Sequence, residues 1–466
     1  MHDGEKVLEA RLALGAQLAA RRQAAGETQR SLAHKLPYSR STIASIETGR
    51  QYAALDFWQR CDQMLEANGG LVDGYHRLDA LLREQAGHRA ETEAEALATL
   101  VASDMGWPPH LKRVVVATLQ LSHESVVAPS RELAPTTTAA SNAATLRWLL
   151  SPVERQPQQS TGERLVGRND VAAITAMRHS LSQLDDTHGG GAVVHMALAY
   201  LRHNITPLLH GRYSARVGTA LFAATAQLLM ALAWTAYDAA QHDLARRAML
   251  QALRLSHAAG DRSFGGRVLA AMSHQALHLG ALDEALDLAR AATEGTRGTV
   301  SHGAQAMFAA TEARVHAVRG DHQACQRYIS QAEQAFDRVA AGTEPAWLGF
   351  VDEGELAGKF GRCFRDLGQT RQADTFLALS MQRHKTIYPR SRAITQLVWA
   401  STYARQGEIE EACRVGREAL TAIGPIRSER TRDYLRDLQT DLVTHHRTPD
   451  VADFLEDARL LLSTPA

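Results

Sequence analysis

The side chains best suited to binding chemistry lie in TQRSLAHKLPYSRSTIASIETGR, residues 28–50. This pattern predicts two short helices around a tight turn. Thr28 and Ser39 are expected to be N-caps, because their hydroxyls can accept backbone N–H groups of a first helical turn. Gly49 is expected to end the second helix in a left-handed conformation. The layout is typical of a helix-turn-helix, whose second helix enters a DNA major groove.

The exposed face of the predicted second helix carries small polar and basic side chains, while Ile43 and Ile46 lie one turn apart and are expected to face the core. Arginine pairs bidentately with guanine, and serine or threonine hydroxyls reach several base edges. These residue types can therefore read a DNA sequence. The predicted DNA-contacting residues are Gln29, Ser39, Arg40, Ser41, Thr42, Ser45 and Arg50.

The charge of this region has the sign that phosphate contact requires. Residues 14–50 contain six basic and two acidic side chains, a net charge of +4. Acidic residues elsewhere in the first eighty cancel it, so the basicity is a local patch. Affinity for a single site is expected to be modest, and a homodimer on two half-sites is the usual remedy. Gln29 is expected either to touch phosphate or to support a residue of the second helix.

The region resembles the Cro/C1-type (XRE) helix-turn-helix family over residues 11–80. Flanking helices are expected at about 14–25 and 55–67. Pro37 departs from the glycine found at the turn of many members, and proline cannot adopt a positive φ, so the turn is expected to differ slightly. The resemblance is carried by Gln29, Leu32-Ala33, Tyr38-Ser39-Arg40-Ser41-Thr42-Ile43 and Ile46-Glu47-Thr48-Gly49.

From about residue 165 onward the chain contains a repeated sequence pattern, of which five units can be aligned. Each unit predicts a helix, a turn at a small residue, and a second helix with Ala or Cys five residues later. Small residues let two helices approach closely, and glycine relieves strain in the turn. No unit can bury its apolar face alone, so the units are expected to stack. The turn anchors are Ala240, Gly280, Gly320, Gly368 and Gly407, and the paired small positions are Ala245, Ala285, Cys325, Ala373 and Ala412.

Successive turn anchors are 40, 40, 48 and 39 residues apart. The pattern is similar to tetratricopeptide repeats, although their usual period is about 34. The predicted fold class is therefore all-α, with a five-helix DNA-binding domain followed by a TPR-like α-solenoid. The predicted boundaries are 11–80 for the helix-turn-helix domain, 84–165 for a partly helical linker and 166–466 for the repeats.

The linker composition predicts flexible segments at 134–141 and 151–163, which are rich in Pro, Ser, Thr and Gln. The stretch HLKRVVVATLQL, residues 110–121, predicts a helix between the domains.

Stacked helix pairs form a curved solenoid whose concave face comes from the first helix of each pair. Aromatic side chains beside arginines on such a face can grip an extended peptide or an anionic ligand. The alternative is that the same residues are ordinary packing and surface positions. The residues expected near this face are Trp234, Tyr237, Asp238, His274, His278, Arg314, Arg362 and Arg365.

Composition argues against several function classes. The formal net charge is 0, from 51 basic and 51 acidic residues, which excludes a global polycation. The four cysteines and 21 histidines form no C-x-x-C or H-E-x-x-H pattern, so we expect buried cysteines and no metal centre or cofactor. No nucleophile–base pair or nucleotide loop stands out, so we expect no enzyme. No apolar run is judged long enough to span a bilayer and no signal peptide is recognised, so a soluble cytoplasmic protein is expected.

Residues 207–285 include PLLHGRYS, AYDAAQHDLA, ALRLSHAAGDR and VLAAMSHQALHLG. With the N-terminal motif, they resemble actinobacterial regulators that join an XRE helix-turn-helix to tetratricopeptide repeats. The resemblance implies a transcriptional regulator that binds an operator in double-stranded DNA. A repressor is favoured, because repression needs only occupancy of a promoter. Its repeats would form the homodimer and sense a peptide, small molecule or protein. The competing hypothesis is an interaction scaffold in which DNA binding is secondary.

Overall fold

The computed structural model describes residues 2–36, 38–82, 138–151, 160–383 and 388–463. The chain divides into two units, residues 1–103 and 104–466. The described residues are mostly helical and contain almost no strand, which confirms the all-α prediction.

The first unit contains the five predicted helices of the N-terminal domain. They enclose one apolar core, in which Leu18, Ile43 and Phe57 have no exposed surface. The described helices are α1 His2–Ala24, α2 Gln29–Lys35, α3 Arg40–Glu47, α4 Leu55–Met64 and α5 over 70–82.

The second unit is an array of antiparallel helices with one two-stranded contact, in which Ser160 pairs with Tyr213 and Thr161 with Arg212. Its elements are α6 Thr138–Leu150, β1 Ser160–Thr161, α7 Arg168–His188, α8 Gly190–Tyr200, a π-helical turn Leu201–Ile205, α9 Thr206–Leu209, β2 Arg212–Tyr213, α10 Ala215–Asp238, α11 His242–Ala258, α12 Arg262–His278, α13 Leu282–Gly295, α14 His302–Val318, α15 His322–Phe336, a 3-10 turn Ala346–Leu348, α16 Glu353–Asp366, α17 Thr370–Arg383, α18 Pro389–Gln406, α19 Ile409–Ile423, α20 Glu429–Leu442, a 3-10 turn Val443–His445 and α21 Pro449–Ser463.

The five predicted repeats are the helix pairs α10–α11, α12–α13, α14–α15, α16–α17 and α18–α19. Each predicted small position is fully buried, including the Cys325 thiol. The four cysteines are buried and unpaired, as expected. The small side chains therefore set how closely the helices pack.

All five turn anchors adopt a left-handed backbone. Their φ angles are +58° at Ala240, +77° at Gly280, +74° at Gly320, +72° at Gly368 and +84° at Gly407. Ala240 is the anchor with a Cβ, so the first of these turns carries steric strain that the glycine turns lack.

Helix α6 corrects the linker prediction, which assigned its first four residues to a flexible segment. Trp148 of α6 has no exposed surface and lies between Gly265 and Gly295, where an added Cβ would come within 2.4 and 2.2 Å of its ring. The Arg262 guanidinium stacks 4.4 Å from the centre of the same ring. Two glycines and a cation thus fix α6 in the core of the second unit. The helix predicted at 110–121 lies outside the described residues.

Helix α10 corrects the expectation that no apolar run could span a bilayer. It is long and apolar enough to cross a membrane, and among the described residues it is the one helix with this length and composition. However, 61% of its most apolar window is buried inside the protein, and its polar end residue Asp238 is held in a buried ion-pair network. These features are typical of a central core helix.

We predict opposite stability changes for reciprocal substitutions at two turn anchors. Ala240→Gly should stabilise the protein by up to about 1 kcal/mol, because glycine adopts a positive φ without the Cβ clash. Gly280→Ala should destabilise it by about 1–2 kcal/mol. No atom lies within 4 Å of a Cβ added at Gly280, so its effect is purely conformational. Urea unfolding followed by circular dichroism measures both, and changes of equal sign would contradict the interpretation.

Candidate nucleic-acid interface and the groove of the repeat body

Both predicted N-caps of the helix-turn-helix are present. The Thr28 hydroxyl accepts the N–H of Ser31 at 3.0 Å, and the Ser31 hydroxyl accepts the N–H of Thr28 at 2.8 Å. Ser39 accepts the N–H of Thr42 at 3.1 Å. Its Oγ also lies 2.7 Å from the hydroxyl oxygen of Ser41 and 2.9 Å from that of Thr42. Three hydroxyls therefore form one hydrogen-bonded group at the start of α3.

The orientation of α3 is fixed by its buried side and its end. Ile43 and Ile46 are buried, and Gly15 of α1 lies so close that an added Cβ would come within 2.5 Å of the carbonyl oxygens of Ile46 and Glu47. Gly49 follows α3 with a φ of +66°, which confirms the predicted left-handed end. The opposite face of α3 is consequently left toward solvent.

A buried ion pair joins α1 to the end of α3. Arg22 donates to both carboxylate oxygens of Glu47, at 2.6 and 3.2 Å, and also to the carbonyl oxygen of Glu27 at 2.7 Å. Gln29 donates to Glu47 at 2.8 Å. Of the two roles expected for Gln29, the structure thus favours support of the second helix, although its side chain is still partly exposed. Sequence reasoning missed this triad, because its members are far apart along the chain.

The predicted DNA-contacting residues lie on an accessible face. Ser39, Arg40, Ser41 and Arg50 are exposed, and Gln29, Thr42 and Ser45 are half-buried. Pro37, expected to alter the turn, lies outside the described residues.

Ion pairs inside the domain engage both acidic residues of this basic region. The two acidic residues of 14–50 are used internally, because Glu47 pairs with Arg22 and Glu27 with Lys35. Within the described part of the chain, four arginines of the same stretch form no ion pair. Their guanidinium groups remain available to phosphate or base edges. These arginines are Arg21, Arg30, Arg40 and Arg50.

The second predicted site, on the repeat body, is assembled but covered. Trp234, Tyr237 and His274 form one aromatic cluster, with ring centres 5.6 to 5.7 Å apart, and Tyr237 also contacts His278 at 5.5 Å. Helix α20 of the same chain lies against this cluster. The prediction that these residues come together is therefore consistent with the structure, but the face is not an open groove.

Three side chains of α20 make the contacts. The Arg430 guanidinium lies 5.8 Å from the Trp234 ring and 5.6 Å from the Tyr237 ring. Asp433 lies 3.4 Å from Nε2 of His278, and the Tyr434 ring lies 5.9 Å from the Arg362 guanidinium. We call this set, α20 with the aromatic cluster, the covered groove.

The remaining predicted groove residues are engaged in ion pairs. Arg314 donates to Asp366 at 2.6 Å and Arg365 does so at 2.8 Å. Burial opposes the charge of Asp366, but the two guanidiniums outweigh it and lower its pKa to about 2. Burial lowers the pKa of His274 well below its ordinary value, and nearby cations act in the same direction. His274 therefore serves as a neutral aromatic ring.

Asp238 joins both ends of the array. Its carboxylate pairs with Arg390 of α18 at 3.1 Å, accepts the Ser428 hydroxyl at 2.9 Å and lies 3.2 Å from Nε of Arg430. It also accepts the N–H of Gly190 at 3.0 Å.

Arg390 completes this network by pairing with Asp185 of α7 at 2.6 Å. Neighbouring Asp186 has its pKa raised to about 6 by burial, although the charge of Arg390 opposes the shift. The contact between α7 and α18 brings the first and last parts of the array together. Residues from 428 to 434 were not predicted to line the groove, since their weak helical periodicity says nothing about where the helix docks.

Residues 13–73 match the family model of a helix-turn-helix domain. The match covers α2, α3 and α4 with parts of α1 and α5. No curated protein matches the chain.

We predict that Arg390→Ala destabilises the second unit by about 3–5 kcal/mol, because it leaves the buried Asp185 carboxylate without its cation and removes one of the two arginines that pair with Asp238. The matched control is Arg414→Ala, which removes a surface arginine paired with Glu411 and Glu418 and should cost about 0–1 kcal/mol. Urea unfolding of the full chain compares them. Equal losses would contradict the assigned role of Arg390.

Proposed function

We propose that this protein is a sequence-specific DNA-binding regulator of transcription. The observation that carries the proposal is the accessible N-terminal half of α3. There a capped helix presents Arg40, Ser41 and Thr42 on the side opposite its buried isoleucines. The match to a helix-turn-helix domain supports the same reading. We assign the domain to the Cro/C1 (XRE) type, from the residues of 28–50 that resemble it.

We further propose that the protein acts as a homodimer and as a repressor in the cytoplasm. Four unpaired arginines provide few phosphate contacts, and two copies on two half-sites would double them. Repression requires only that the dimer occupies a promoter. Finding activation in place of repression would leave the DNA-binding proposal intact.

The repeat body is proposed to be a tetratricopeptide-like sensor for a ligand or partner, as in actinobacterial regulators of this arrangement. Its left-handed turns and buried small residues support the repeat assignment. The alternative, an interaction scaffold, would use the concave face, but α20 covers the aromatic cluster there. A partner that binds this set must first displace α20.

We predict that Arg40→Ala weakens binding to the preferred DNA sequence by about 1–3 kcal/mol, because a base-reading arginine is lost. The preferred sequence is first selected from a random duplex library with the full chain. Binding is then measured by gel shift at several salt concentrations. Ser41→Ala should weaken it less, since one hydroxyl makes fewer bonds than a guanidinium.

The matched control for these variants is Arg297→Ala, which removes an exposed arginine of the second unit paired with Glu294. It should leave DNA affinity unchanged. Thermal unfolding checks that each variant remains folded. Wild-type affinity in the folded Arg40→Ala variant would overturn the assignment of α3 as the reading helix.

We also predict that footprints of the selected DNA contain two half-sites, about 10–10.5 base pairs apart or a multiple of that distance. Sedimentation of the protein without DNA should give the mass of a dimer. A single protected half-site together with a monomeric mass would contradict the homodimer.

A further inference from the structure

One repeat departs from the spacing of the others. Gly320 and Gly368 are 48 residues apart, whereas neighbouring anchors are 39 or 40 apart. The eight or nine additional residues lie within the segment 337–352, between α15 and α16, which we call the insertion loop. Insertions in stacked repeats form loops on one face, and that face is often a binding face.

Three residues of the insertion loop pack or hydrogen-bond against the repeat helices. Glu344 accepts the N–H of Gly303 at 3.1 Å and the hydroxyl of Ser301. Leu348 is buried in the main core, and the Trp347 ring packs edge-on against Phe264 with ring centres 5.7 Å apart. These contacts fix where the loop presents its aromatic rings.

Those rings lie against Arg267 of α12. The guanidinium is 4.6 Å from the centre of the Phe350 ring and 5.7 Å from that of Trp347. It donates to the Met307 sulfur at 3.9 Å, and within the described residues it forms no ion pair. A guanidinium stacked on an aromatic face keeps its N–H donors at its edge, where they can bind a planar anion.

The charges of two other cations interact with that of Arg267. Burial lowers the pKa of Arg267 to about 10, the charge of Arg178 acts in the same direction, and the carboxylate of Glu355 opposes the shift. Burial also lowers the pKa of Lys359, to which the charge of Arg267 contributes. Lys359 pairs with Glu355 at 3.6 Å. Among the described residues Arg178 has no ion pair; its Nη2 lies 2.5 Å from Nε2 of His179, and its buried Nε has no hydrogen-bond partner.

The partly buried cations Arg178, Arg267 and Lys359 come from α7, α12 and α16, and Glu355 is the carboxylate that opposes the charge of both Arg267 and Lys359. Uncompensated buried charge is costly, and an anion placed between them would relieve that cost. We propose that Arg267, Lys359 and Arg178, with Trp347 and Phe350 of the insertion loop, bind a small anionic molecule that carries a flat apolar group. This site supplies the chemical class of the ligand in the proposed sensing function, and to that extent rests on it.

The site is tested by calorimetric titration of the full chain, without DNA, using benzoate and phenyl phosphate as probes. Benzamide is the neutral control of the same shape. At least one anion should bind with a stoichiometry of one per chain, and benzamide should bind about tenfold more weakly or worse. The two anions distinguish a carboxylate ligand from a phosphate ligand.

Arg267→Gln and Lys359→Gln should each weaken binding of that anion about tenfold, whereas Arg297→Gln on the exposed surface should not change it. If Arg267→Gln fails to fold, Arg267→Lys retains the charge but loses the stacked fork, and should still weaken binding. The proposal is overturned if neither anion binds, if benzamide binds equally well, or if the folded variants bind like wild type.

Gel shifts with and without the bound anion then test the regulatory role separately. A change in DNA affinity that Arg267→Gln abolishes supports sensing through this site. Anion binding with unchanged DNA affinity would support the site and overturn its part in regulation. Loss of DNA binding in all samples would instead count against the proposed function.

Discussion

The repeat body depends on the close crossing of the two helices in each pair. At every crossing stands an alanine or cysteine with no exposed surface, from Ala245 to Ala412. A larger side chain there would separate the backbones and would cost strain or a rearranged core. The same five-residue offset from the turn anchor repeats along the array, so the five pairs share this close approach next to their turns.

Contacts between distant helices hold the second unit together. Arg390 of α18 pairs with Asp185 of α7, and Asp238 contacts both Arg390 and Ser428 at the start of α20. Such buried charges are weakly favourable when paired and costly when broken, so the network acts against sliding of the repeats. It also fixes Ser428 and thereby the start of α20, whose Arg430 lies against the aromatic cluster.

The two units use charge in opposite ways. In the N-terminal unit both acidic residues of the helix-turn-helix are paired inside the domain, which leaves four arginines accessible. In the repeat body most groove cations are paired with carboxylates, as Arg314 is with Asp366. Arg267 is an exception, since aromatic rings cover it and no carboxylate binds it within the described residues. Accessible unpaired cations favour a polyanion, and partly buried ones favour a small anion that can replace their lost hydration.

The sequence by itself determined the features that depend on neighbouring residues. The caps at Thr28 and Ser39 and the left-handed turns were predictable, because each follows from hydrogen bonds or steric limits within a few positions. The tertiary structure decided the rest: the Arg22–Glu47 pair, the packing of Trp148 between two glycines, and the contact of α20 with the aromatic cluster. Each joins residues that are 25 or more positions apart. Local periodicity shows that a helix has an apolar face, but only the packed chain determines which surface covers it.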